Sequence, residues 1–139
     1  MKQLDRHHHE DLEKMFGHDE RIMVAYLYGS KARGSYTPES DTDVAVLLSE
    51  VPEDVLEYYL DLADRISEAL VESVDLVILN EAPPLLKHQV IKHGRLLYSR
   101  DVRARVEFEA KAEKEYLDFK VRRERYDEAL MEEARRWKA

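Results

Sequence analysis

The chain has 139 residues, 44% of them hydrophobic and 37% charged, with a formal net charge of −8. That length suits one domain, and the absence of cysteine excludes disulfide frameworks, thiolate metal sites and a cysteine nucleophile. No apolar run approaches the ~20 residues that cross a bilayer, and the N-terminus lacks the apolar stretch of a secretory signal, so a cytoplasmic protein without a membrane partner is expected.

The charge is unevenly placed. Residues 1–99 hold 10 basic and 19 acidic side chains (−9), and residues 100–139 hold 12 and 11 (+1), which together give −8. An acidic body repels a phosphate backbone, so no direct tight nucleic-acid binding is expected. A nucleotide held through cations remains compatible with it.

In chain order, Leu4, His8, Leu12 and Met15 repeat at helical spacing up to a stop at Gly17. Ile22 to Tyr28 is a continuous apolar run that reads as a buried strand ending at Gly29. Residues 29–40 are small, polar and interrupted by Pro38. A second strand follows at Asp43–Leu48, an amphipathic helix over Glu53–Glu72, and a third strand at Val74–Leu79. Pro83 and Pro84 open a short helix that Gly94 ends, and Leu96–Tyr98 adds a last short strand. From Val102 to Trp137 there is neither Gly nor Pro, which predicts one or two long helices.

Strands alternating with helices predict a small α/β (α+β) fold with a mixed sheet. Its expected division is residues 1–99 as the domain and 100–139 as a helical extension that meets a partner. Ala112, Tyr116, Phe119, Arg123, Tyr126, Leu130 and Trp137 recur at three-to-four spacing in that extension. A straight helix over it reaches on the order of 50 Å. Such a helix either folds back on its own domain or offers the stripe to a second chain.

The chemistry concentrates between Gly29 and Asp43. Gly29-Ser30 closes a buried strand with little bulk, so backbone N–H groups there can approach an anion, and Lys31 and Arg33 add cations. Asp41 and Asp43 are two apart at the mouth of the next strand, which puts both carboxylates on one side. Asp75 stands at the equivalent place on the third strand and becomes a third acid if the strands are neighbours. Carboxylates so clustered repel one another without cations, and Mg²⁺ takes such hard oxygen ligands together with substrate phosphates. The set suits phosphoryl or nucleotidyl transfer with two metal ions. Gly29 and Gly34 have P-loop spacing, but Ser35 stands where that loop needs lysine.

Gly29-Ser30, ten residues, then Asp41-Thr42-Asp43 resembles the signature of the DNA polymerase β-like nucleotidyltransferases. The short chain, Ala32-Arg33-Gly34 and Tyr116-Leu117-Asp118-Phe119 are similar to the minimal nucleotidyltransferase (MNT) antitoxins that pair with HEPN toxins. The resemblance implies a Mg²⁺-dependent enzyme, with two ions expected, that moves AMP from ATP to a tyrosine of a HEPN ribonuclease in a hetero-oligomer and so silences it. It implies that Gly29 and Ser30 hold the β- and γ-phosphates, that Asp41 and Asp43 bind both metals, and that Asp75 binds one. Lys31, Arg33 and Ser40 are implied as further nucleotide contacts. Two alternatives stand beside it: an antitoxin that masks its toxin by binding alone, and a nucleotidyltransferase acting on a small molecule or an RNA end.

Other residues carry plainer expectations. His7, His8 and His9 are adjacent and point apart on a helix, which suits a solvated helix start better than a metal site. His88 and His93 are expected as cap or surface groups. Tyr26 and Tyr28 are expected in the core or on the pocket wall, with Tyr28 next to the nucleotide turn.

Overall fold

The computed structural model describes residues 6–29 and 42–138. Helix α1 (Arg6–His18) leads into strand β1 (Ile22–Tyr28), and β2 (Thr42–Leu48) is followed by α2 (Val55–Leu70) and β3 (Val74–Ile78). A 3-10 turn (Leu79–Glu81) precedes α3 (Pro84–His93), β4 (Arg95–Ser99) and α4 (Val102–Lys138). The four strands form one sheet in the order β3-β2-β1-β4. β1 lies antiparallel to both β2 and β4, and β2 runs parallel to β3 across α2.

β1 reads as an unbroken apolar run because it is a central strand with both faces covered. On one face Leu12 and Phe16 of α1 and Leu62, Ile66 and Leu70 of α2 meet Ala25, Leu27, Val44, Val46 and Leu76. On the other, Val90 of α3 and Phe108 of α4 meet Val24, Tyr26, Ala45 and Val77. The sheet is therefore the middle layer of three, and its polar end belongs to whichever strands stop there together.

Local chemistry sets the boundaries. Asp54 caps α2 by accepting from the Glu57 N–H at 3.0 Å, so the helix starts two residues later than the apolar periodicity suggests. The third strand ends at Ile78 because Leu79 turns into the core as a 3-10 residue. The side chain of the following Asn80 donates to the Leu48 carbonyl at 2.8 Å and accepts its N–H at 2.9 Å. That amide substitutes for a strand partner and leaves the end of β2 satisfied.

The extension is one unbroken helix and does not fold back. It holds no Gly or Pro, and i, i+3 and i, i+4 ion pairs run along it, among them Arg103–Glu107, Arg105–Glu109 and Arg135–Glu132. Its first half packs on the domain. Tyr26 donates to Glu109 at 2.7 Å, Lys87 donates to Glu115 at 2.9 Å, and Ala112 is buried. From Val121 to Trp137 every residue is exposed.

Candidate active site

Sheet register assembles the site. Tyr28, the last residue of β1, pairs with Asp43 on β2, and Asp43 pairs with Asp75 on β3. Partners in register point to the same face, and neighbouring strands lie about 4.8 Å apart. Tyr28, Asp43 and Asp75 thus form a row across three strands, on the sheet face that α3 and α4 cover deeper in. Asp43 is half-buried and Asp75 is exposed, so the row opens to solvent at its β3 end.

The neighbouring residues hold Asp43 in place. Thr42, only 1% exposed, turns into the opposite face, where its hydroxyl donates to the Glu72 carboxylate. The Thr42 N–H donates to the Ser73 carbonyl at 3.2 Å. The start of β2 is thereby fastened to the α2–β3 connection that carries Asp75. The Asp-Thr-Asp alternation already implies an inward middle residue, but its partner on Glu72 has no local signal.

Gly29 closes the other side. Its φ of +77° lies in the left-handed region, and a Cβ there would overlap the Asp43 carboxylate. The position therefore needs glycine both for its backbone and for its neighbour.

Burial first, and then the Asp43 and Asp75 carboxylates, push the Tyr28 phenol up to about 12. Tyr28 is consequently a neutral hydroxyl at neutral pH and adds no third negative charge to the row. Tyr26, two residues back on the same face, is raised further by burial and by its bond to Glu109, and is a fixed structural hydroxyl.

Gly29, Asp43 and Asp75 are brought together as the motif predicts. Ser30, Lys31, Arg33, Ser40 and Asp41 lie outside the described residues. Among the described residues no three His, Asp or Glu side chains form a metal cage. Two adjacent carboxylates nonetheless fit Mg²⁺, which ordinarily takes one or two protein oxygens and completes its shell with water and phosphate.

The histidines behave differently from one another. His7 and His9 take separate partners, Asp11 on the same helix and the Leu97 carbonyl, consistent with rings that point apart. His88 is neither cap nor surface group. Its ring stacks on Tyr116 at 3.7 Å and meets Glu113 at 3.0 Å, pinning α3 to α4.

A mixed four-stranded sheet with acids in register at a strand mouth, beside a left-handed glycine turn, is the framework of a nucleotidyltransferase. The chain belongs to the polymerase β nucleotidyltransferase family, whose profile matches residues 10–103. It is 33% identical over 78 residues to the protein adenylyltransferase MntA of Shewanella oneidensis, covering 56% of this chain. That alignment spans 55% of the relative's length.

Among solved structures, a toxin–antitoxin with AMP-PNP superposes with a TM-score of 0.73 at 25% identity, over 89% of this chain and 98% of the other. The complex of tri-AMPylated Shewanella oneidensis HEPN toxin with MNT antitoxin gives a TM-score of 0.68 at 24% identity, over 89% and 96%, and speaks to the fold alone. No helix among the described residues is long and apolar enough to cross a membrane.

Proposed function

We propose that this protein is the antitoxin of a HEPN/MNT pair and silences its toxin by moving AMP from ATP onto a toxin tyrosine. The observation that carries this reading is the register of Asp43 with Asp75 beside the left-handed Gly29 turn. Support comes from the likeness to a protein adenylyltransferase and to a toxin–antitoxin with AMP-PNP. The HEPN nature of the toxin follows from the sequence resemblance. The use of ATP assigns it to the cytoplasm in this reading.

In this reading Asp41, Asp43 and Asp75 would hold Mg²⁺, and two ions are what the family resemblance implies. Gly29 and Ser30 present backbone donors to the β- and γ-phosphates, and Lys31, Arg33 and Ser40 add contacts to the nucleotide. The tyrosine oxygen forms a bond to the α-phosphorus, the bond to the bridging oxygen breaks, and pyrophosphate leaves while the phenol proton passes to solvent. Bound Mg²⁺ neutralises phosphate charge and favours the ionised form of the attacking hydroxyl. The protein's own contribution is placement: the Asp43 and Asp75 carboxylates, set in register on two neighbouring strands, need no rearrangement when charge develops. Residues 1–99 form the transferase unit, and 100–139 form an extension that serves association; the exposure beyond Lys120 supports that role.

The test is transfer of label from α-labelled ATP, with Mg²⁺, to the toxin encoded beside this chain. Wild type labels the toxin on tyrosine, and Asp41→Ala/Asp43→Ala does not, while keeping its circular dichroism spectrum. Absence of label with wild type overturns the reading. Full neutralisation of the toxin by the double variant in cells favours masking by binding, and labelled product without any protein acceptor favours a small-molecule or RNA-end substrate.

A further inference from the structure

We propose that two copies of this chain pair antiparallel through the outer half of α4, from Phe119 to Trp137, about a two-fold axis at Glu128. The inference is independent of the transferase reading and begins with the stripe. Ala112, Tyr116, Phe119, Arg123, Tyr126, Leu130, Glu133 and Trp137 follow one another in alternating steps of four and three, the heptad seam of a coiled coil. The inner part of that seam is covered by the protein itself: Ala112 is 1% exposed, and Tyr116 lies under His88. The outer part opens at a half-buried Phe119 and is bare beyond it, with Tyr126 65%, Leu130 51% and Trp137 84% exposed. A helix with its seam uncovered is marginal in water, and this one continues well past the body that supports it.

The seam itself names its occupant. Its two polar positions are one cation, Arg123, and one anion, Glu133, and they stand equally far on either side of Glu128. Tyr126 and Leu130 are likewise symmetric about it, as are Phe119 and Trp137. An antiparallel copy centred there stacks Phe119 on Trp137, Tyr126 on Leu130 and Arg123 on Glu133 of the second copy, each layer occurring twice. That is the self-complementary patch a two-fold interface requires. A parallel pair in register sets Arg123 on Arg123 and Glu133 on Glu133. Sliding the antiparallel pair inward by one heptad brings Trp137 onto Ala112, which is already buried within its own chain.

The contact of Glu133 with Arg136 on its own helix is exposed, at 3.4 Å, and gives way to the seam partner. The rim is less complementary than the seam. Arg122 faces Arg136 of the second copy and Asp127 faces its own counterpart, so the pair is reversible rather than permanent.

Sedimentation equilibrium of the full chain across the micromolar range tests this, with charge reversals and a cysteine probe in a protein that has none of its own. Wild type associates to a dimer. Arg123→Glu and Glu133→Arg each weaken it by at least about tenfold, because each makes a seam layer like-charged, and the double reversal restores it. Ala129→Cys, beside the axis, oxidises to a covalent dimer, whereas Ala134→Cys does not, since its two copies lie on the order of 18 Å apart along the helices. A wild-type chain that stays monomeric, or single reversals that leave the dimer intact, overturn the proposal. A stripe that is filled only when the toxin is added overturns it as well, and assigns the seam to that partner.

Discussion

Gly29 is the residue on which the geometry of the site turns. Its left-handed backbone and its contact with Asp43 both exclude a side chain. Gly29→Ala is expected to cost about 1–2 kcal/mol of folding stability from the backbone alone. It should also displace the Asp43 carboxylate, so calorimetry should show weaker Mg²⁺-ATP binding even where the variant is still folded. Tyr28 makes a separate test. Its phenol is about 12 in the fold against an ordinary 10.0, so between those values the folded protein keeps a proton that the unfolded chain has lost. Stability must therefore fall as pH rises through that window, and the ionisation of Tyr28 contributes nothing at neutral pH. Urea unfolding at both ends of the window should show a shallower alkaline loss for Tyr28→Phe. An identical pH profile for the variant counts against the crowding of Tyr28 by the two acids.

At the scale of elements, one arginine joins the two ends of the domain. Arg100, just after β4, donates to the Ile22 carbonyl at 3.0 Å and to those of Phe16, Gly17 and Asp19 between 3.0 and 3.3 Å. The Phe16 and Asp19 carbonyls also accept from the backbone N–H groups of Asp19 and Ile22, so Arg100 adds a further donor to the end of α1 and the turn into β1. Arg100→Ala is expected to destabilise by about 1–3 kcal/mol, read from urea midpoints, with an unchanged slope because the surface exposed on unfolding is the same. Elements with a strong local signal were legible in the sequence: the apolar run of β1, the amphipathic stripe of α2 and the Gly94 stop after α3. The role of Arg100 was not, since carbonyl acceptors leave no trace in residue identity. The stacked His88–Tyr116 pair escaped for the same reason, because its two members belong to helices far apart in the chain.

For the whole molecule, the two halves of α4 differ in exposure. Phe108 in its first half packs on a sheet face, and from Val121 to Trp137 every residue is exposed. Truncation after Lys120 should therefore change folding stability by no more than about 0.5 kcal/mol in the dilute, monomeric protein, measured by chemical denaturation. Truncation before Phe108 should unfold the sheet face beneath it. Equal losses from both cuts would show that the outer helix supports the domain.

The sequence by itself determined the fold class and laid out the residues on which the proposed chemistry rests. A glycine turn, two acids at strand period and a third at a later strand mouth are local patterns, and backbone geometry reads them directly. It also determined that the extension is helical. Only the tertiary structure decided that Asp75 stands opposite Asp43, because strand order and register depend on how two faces of side chains pack, not on any single segment. The fate of the aromatic stripe was decided there too: α3 covers Tyr116, while the stripe from Arg123 onward is exposed.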